Sequence, residues 1–255
     1  MTTAPTVLGI IERYYDTVPR AVATAEECGP FTIFAPTLTT SWTFYARPRL
    51  GLCTEVDADD VRRVLARQRE LGLRRSLEWI DEVTPSLLPA VTDVVGDRVD
   101  RHPLLVRRPD APAPRAASTV VLGPDHADLA AVIGAVGASF DGHDDPEPGT
   151  LAAQPGLIED GRLIVVGAYD AEGRVVGGGT AAPRGEVAEL MGIGVIPRAR
   201  RTGLGGRLTQ ALVRAALDAG VITIFLSAAS HGAASIYRRV GFDDIGTACI
   251  LELGD

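Results

Sequence analysis

Fourteen residues, Val195–Leu208 (VIPRARRTGLGGRL), hold four arginines and three glycines. An apolar stretch, ELMGIGV, runs into them, and a helix-like stretch, LTQALVRAALDAG, runs out. The backbone N–H groups that open a helix have no partner inside it, and the helix dipole adds partial positive charge there. Glycines let a phosphate approach that backbone closely. Arg200, Arg201 and Arg207 add full charges. The combination suits an anion with several oxygens, such as a pyrophosphate. The competing reading is an ordinary tight turn with solvated arginines.

The rest of the chain bounds what such a turn can serve. At 255 residues, 46% apolar and 23% charged, the composition is that of a soluble globular protein. A net charge of −8 argues against a nucleic-acid partner. No apolar run approaches the roughly 18 residues of a membrane span, so no membrane partner is expected. The opening MTTAPTVLGIIERYYD lacks a basic, apolar leader pattern. Cys28, Cys53 and Cys249 are widely spaced and odd in number. They suggest neither a metal site nor a disulfide framework, and the expected location is the cytoplasm. The sequence contains no lysine and no asparagine, which excludes a phosphate-binding or Schiff-base lysine.

Stepping along the chain, three prolines in RRPDAPAPRAAS (Arg107–Ser118) mark a linker. They suggest domains at residues 1–110 and 118–255, joined by 111–117. The second domain reads as strand STVVLG, helix DHADLAAVIGAVGASF, strands RLIVVGAYD and RVVGGGTAAP, strand EVAELMGIGVI, the basic turn, helix GRLTQALVRAALDAG, strand VITIFLSA, helix HGAASIYRRVGF and strand GTACILEL. This is an α/β order, a mixed sheet with helices on both faces. The first domain ends in a similar helix–Gly–strand–helix–strand series. Gly72 answers Gly220, Gly96 answers Gly241, and the offset changes by three residues. The pattern reads as a degenerate internal repeat, although such a series is common in α/β proteins.

VIPRARRTGLG fits the V-x-P-x-x-R-x-x-G-x-G signature of the GCN5-related N-acetyltransferase (GNAT) family, and AASIYRRVGF fits the family's A-x-x-x-Y-x-x-x-G-F pattern. The resemblance spans Ser118–Leu253. It implies a GNAT-like, mostly antiparallel sheet flanked by helices, in a tandem form whose N-terminal GNAT-like domain is degenerate. It also implies an acyl-CoA co-substrate, most often acetyl-CoA, used to acylate the amine of a small molecule or peptide. By that likeness Arg200, Arg201, Thr202, Gly203, Leu204, Gly205 and Gly206 form the pyrophosphate loop. The edge of the preceding strand, at Ile193 and Val195, holds the pantetheine arm. Pairing of two copies through a sheet edge is a further possibility that the resemblance raises.

Amine attack on a thioester needs a proton removed from the amine, an oxyanion stabilised and a proton given to the leaving thiolate. Tyr237 matches the tyrosine that similar enzymes use as that acid, against the alternative of simple packing. Glu189 is a candidate base. In a regular strand, residues 189, 191, 193 and 195 share one face, so its carboxylate would point to the CoA side; a solvated carboxylate is the alternative. His231 could act locally or cap its helix. Ser230 stands where the family often has an asparagine for the pantetheine, and a hydroxyl makes fewer bonds. In FDGHDDPEPGT, Asp141, Asp144, Asp145 and Glu147 could draw a cationic acceptor or form a solvated loop. The first domain has aspartates, Asp57, Asp59 and Asp60, where its phosphate donors would be, and is expected to bind no CoA. Trp42, Phe44, Tyr45 and Trp79 could line a wall of the substrate cleft, with core packing the better reading for most of them. Two other readings compete: a non-catalytic acyl-CoA-binding module on the same fold, and a dinucleotide enzyme suggested by GIGVIP.

Overall fold

The computed structural model describes residues 6–37, 44–114 and 116–254. Trp42 lies outside them. The chain forms two compact units, Met1–Leu104 with Ile245–Asp255, and Leu105–Asp244.

In the first unit, helix α1 (Val7–Arg20) is capped by Thr6, whose hydroxyl accepts the Gly9 N–H, and buries Ile11, Tyr14 and Tyr15. Strands β1 (Ala23–Cys28) and β2 (Phe31–Pro36) form an antiparallel hairpin, and β3 (Arg47–Pro48) pairs with β2. Helix α2 (Ala58–Glu70) starts on a capping box. The Asp57 carboxylate accepts from the N–H groups of Asp59 and Asp60, and Asp60 answers the Asp57 N–H. Strand β4 (Arg75–Ile80), helix α3 (Leu87–Val95) and strand β5 (Val99–Arg107) follow. Phe31, Ile33, Val61, Val64, Leu77 and Trp79 belong to this unit's core, so Trp79 is a core residue rather than a wall. Tyr45 donates its hydroxyl to Glu252 at 2.6 Å. The Arg47 guanidinium lies 3.9 Å from the centroid of the Tyr15 ring and pairs with Glu78. Burial pushes the Glu78 carboxyl above its ordinary range. Burial likewise pushes Glu12 up to about 7, opposed by Arg47 and aided by the nearby charges of Glu78 and Asp16.

The second unit contains strand β6 (Thr119–Leu122), helix α4 (Leu129–Asp141), short helix α5 (Gln154–Glu159) and strands β7 (Ile164–Tyr169), β8 (Val175–Arg184) and β9 (Val187–Val195). Helix α6 (Leu204–Asp218), strand β10 (Thr223–Ser227), helix α7 (His231–Arg239) and the start of strand β11 (Phe242–Leu253) complete it. The strands lie in the order β10-β9-β8-β7-β6, antiparallel except for the parallel pair β9 and β10. The fold is thus mixed α/β, a mostly antiparallel sheet flanked by helices. Helix α6 buries Leu204, Leu208, Leu212 and Ala216, one stripe at helical spacing, against this sheet.

The division that the prolines suggest, 1–110 and 118–255 joined by 111–117, differs from the observed one in two respects. The chain leaves the first unit within β5 and returns to it within β11, because Ala248–Leu253 pair with β4. The last eleven residues, Ile245–Asp255, therefore group with the first unit. The elements α2-β4-α3-β5 and α6-β10-α7-β11 follow the same order. Gly72, Gly96, Gly220 and Gly241, the glycines that punctuate them, all have positive φ.

Candidate active site

The site begins where two parallel strands part. The β9–β10 register runs from Val187–Thr223 to Glu189–Phe225 and ends there among the described residues, while β9 continues to Val195. On its other edge β9 stays paired with β8, through a bulge. Thr180 faces Met191 and Gly178 faces Gly194, so three steps on β9 match two on β8. Gly192 sits inside the bulge at φ 58°.

The bulge overturns the expected face of Glu189. Gly194 falls on the side of α4, where an added Cβ would meet the Ser139 hydroxyl. Its partner Gly178 falls there too, against Val132 and Val136. The register carries Glu189 and Met191 to that same side. Ile193 and Val195 turn to the opposite, α6 side, where Ile193 and Leu212 close over Gly179. One extra residue flips the alternation, so Glu189 does not share a face with Ile193 and Val195.

After β9 the chain makes a single 3-10 turn, Pro197–Ala199, then Arg200, Arg201, Thr202 and Gly203 lead into α6. Arg201 and Gly203 adopt the left-handed conformation, at φ 63° and 78°. The turn's polar side chains hold its own shape. Arg200 donates to the carbonyls of Val195 (2.9 Å) and Ser139 (2.6 Å), lacing the end of β9 to α4. Arg200 is therefore a brace as much as a ligand charge. The Thr202 hydroxyl donates to the Ala199 carbonyl (2.9 Å), and Arg207 reaches back to the Thr202 carbonyl (3.2 Å). Asp144 accepts the Arg198 N–H at 2.6 Å, and Asp145 lies 3.8 Å from the Arg198 guanidinium. Part of the acidic segment thus holds this turn rather than standing free for an acceptor.

What remains open is the backbone. Helix α6 has Gly203 at its N-cap and no side-chain cap bond. Its first amides, at Leu204, Gly205 and Gly206, stay available to an external acceptor. The contrast with α2 is sharp, since Asp57 closes that helix from within.

A cavity of about 1000 Å³ lies over this turn, bounded by the end of β9, the first turns of α6, helix α7 and the last turn of α4. Ile193, Val195, Arg200, Arg201, Gly203, Leu204, Gly205, Gly206, Ser230 and Tyr237 line it. Thr202, whose hydroxyl is turned to Ala199, and Glu189 are not among its lining residues. Ser230 is the N-cap of α7, its oxygen accepting the Ala233 N–H at 3.2 Å. Its lone pair caps the helix and the O–H remains a donor. His231 is exposed on the first turn of α7. Tyr237 is half-buried, stacked edge-on against Phe242 with centroids 6.3 Å apart. Burial raises its phenol above the ordinary value, so it stays protonated and able to donate at neutral pH.

Ser139, Phe140, Gln210 and Arg239 are among the lining residues that escaped the sequence reading. Arg239 lies inside the Tyr237 motif and so carried a signal. The α4 residues carried none, because only the fold decides which helix end reaches β9. The charged residues that line the cavity are Arg200, Arg201, Arg207 and Arg239; among the described residues no carboxylate does.

The arrangement offers open amides, several cations and an apolar channel toward a phenol, which fits a phosphate-bearing cofactor with a long arm. No curated protein matches the chain. A solved GCN5-related N-acetyltransferase from Kribbella flavida shares its fold over 99% of this chain and 98% of that one, at 21% identity and a TM-score of 0.75. A GCN5-related N-acetyltransferase-like protein from Streptococcus suis does so over 97% and 98%, at 12% identity and a TM-score of 0.56. Residues 127–242, all within the second unit, match the acetyltransferase (GNAT) family.

Proposed function

We propose that the protein is an acyl-CoA-dependent N-acyltransferase, with acetyl-CoA as its co-substrate and a small-molecule or peptide amine as acceptor. The observation that carries this reading is the uncapped start of α6, facing a cavity whose charged lining residues are all arginines. Leu204, Gly205 and Gly206 would hold the diphosphate through their N–H groups, with Arg201 and Arg207 supplying charge. The edge of β9 at Ile193 and Val195, exposed where β10 departs, would take the pantetheine arm, and the Ser230 hydroxyl would add a donor. Bound acyl-CoA supplies an activated thioester carbonyl. Tyr237 would protonate the departing sulfur, since its phenol lines the cavity and is protonated at neutral pH.

Glu189 faces the α4 side of the sheet, so a role as base requires the amine to arrive from that side, directly or through water. The lack of a carboxylate lining the cavity favours one second reading, a module that binds acyl-CoA without turning it over. An amine panel incubated with acetyl-CoA, followed by free CoA release, separates the two. Turnover with any amine supports transfer, whereas binding without turnover across the panel supports the second reading. The first unit we read as a degenerate GNAT-like partner, supported by the matching element order and by the internal cap of α2. A cytoplasmic location and a possible homodimer, without nucleic-acid or membrane partners, complete the proposal.

A further inference from the structure

The segment that follows α4 grips the basic turn by its backbone. Helix α4 ends at Gly142, which takes the left-handed conformation at φ 78°. The N–H groups of Gly142 and His143 both return to the Ala138 carbonyl, so the chain turns sharply. Asp144 comes next. Its carboxylate accepts the Arg198 N–H at 2.6 Å, and its carbonyl accepts from the Arg198 guanidinium. Pro197 has no N–H, so Arg198 carries the first orphan amide of the 3-10 turn. Further on, the segment lies back along α4. The Gly149 N–H donates to the Ala130 carbonyl at 2.8 Å, and a Cβ on Gly134 would stand 1.8 Å from the Glu147 carbonyl oxygen. Asp144 is exposed and is not among the residues that line the cavity.

We propose that Asp144 is a positioning residue for coenzyme binding, one that fixes the turn aiming the α6 amides while touching no part of the ligand. This rests on the acyl-CoA reading above. The assignment runs against simple electrostatics, since a carboxylate near a diphosphate repels it. Its contribution is geometric. An exposed ion pair between side chains would count for little, but the bond here is to a backbone N–H 54 positions along the chain. With Arg200, bonded to the Ser139 carbonyl at 2.6 Å, it ties the turn to the end of α4 at two points. Arg201 follows at φ 63°, a conformation that a residue with a side chain keeps only where its surroundings impose it. Without the Asp144 bond the Arg198 N–H turns to water and the turn samples other shapes. The ligand must then gather the amides of Leu204–Gly206 itself, which costs affinity. The same commitment takes Asp144 out of the carboxylates open to a cationic acceptor.

The test is calorimetric titration of the full chain with coenzyme A at one fixed ionic strength, beside thermal melts. Asp144→Ala should weaken coenzyme A about tenfold, the scale of a hydrogen bond to a charged group, even though it removes a negative charge. Asp144→Asn removes the same charge and keeps an acceptor oxygen, so it should restore affinity close to that of the wild type. Asp141→Asn, which removes a charge from the last residue of α4, should not weaken binding. Tighter binding by both Asp144 variants would make the residue a mere repelling charge and overturn the assignment. An equal loss in both, in step with a lower melting temperature, would make it merely structural and overturn it as well. Amide exchange read by NMR in the wild type should show the Arg198 N–H protected, and a freely exchanging amide there would also overturn it. Wild-type binding that Asp144→Ala leaves intact overturns this assignment alone. If the wild type binds no coenzyme A, the acyl-CoA reading falls and the assignment falls with it.

Discussion

Gly205→Glu separates binding from folding. Gly205 lies in the first turn of α6 with helical backbone, and a Cβ added there meets nothing within 4 Å. Replacing glycine in a helix recovers about 0.8–1 kcal/mol of propensity. A carboxylate near a helix N-terminus contributes a further few tenths. The variant should therefore melt at or slightly above the wild-type temperature. The same carboxylate would stand roughly 5–6 Å from a diphosphate held on these amides. At an effective dielectric near 20, each charge pair at that distance costs about 3 kcal/mol, more than a hundredfold in affinity. Ligand at 100 times its Kd stabilises a folded protein by about 2.7 kcal/mol, a melting shift of roughly 5–10 °C for a chain of this size. Thermal melts with and without coenzyme A should show that shift in the wild type and none in Gly205→Glu. A variant of undiminished stability that keeps the full shift would refute the argument, because the phosphates could not then lie against this turn.

Three other outcomes are expected. Tyr237→Phe keeps the ring contact with Phe242 and deletes the proton donor. Turnover should fall roughly 10²–10⁴-fold while calorimetric affinity for coenzyme A holds, and equal turnover would reduce Tyr237 to packing. Glu12, raised to about 7 by burial, holds its proton in the folded protein at pH values where the unfolded chain has lost it. Stability should therefore decline as pH rises from about 4.5 to 7, by up to about 3 kcal/mol, and level off above. Glu12→Gln should flatten that slope in denaturant titrations at several pH values, and an unchanged slope would assign it to other groups. Titration of the intact chain should give one coenzyme A per chain, because Asp57 already occupies the amides at the start of α2; a second site would contradict this.

Much of the second unit was legible because its pattern is local. A strand that runs into a glycine-rich turn and then a helix can be read from one window, and Gly203 takes the left-handed conformation that such a turn needs. The first fifty residues were not legible in the same way. Strand β1 (ATAEEC) has no buried residue and shows no clean alternation, and β3 is two residues long. The return of the chain end to the first unit was hidden for a different reason. Pairing of residues 248–253 with 75–80 leaves no mark in either segment. Glu189 failed at a single point. Period-two reasoning holds only while the strand is regular, and Gly192 within MGIGV was the one sign that it is not.

The basic turn shows where residue types stop being informative. Of the four arginines in fourteen residues, Arg200, Arg201 and Arg207 read from the sequence as three charges facing one ligand. In the structure Arg198 is tied to the Asp144–Asp145 segment, and Arg200 to two carbonyls on β9 and α4. Both set the shape of the turn. Arg207 folds back on Thr202, and Arg201 is held at a left-handed φ that a side-chain-bearing residue adopts only under constraint. The charge left free in the turn is thus smaller than the count suggests, and Arg239 on another helix also lines the cavity. The part of the anion site that owes nothing to arginine, the uncapped amides of α6, is what the glycines encode. Side chains can be reassigned by small shifts in packing. An orphan N–H at a helix start must find water or an acceptor, and placing three of them over a cavity is a commitment of the backbone itself.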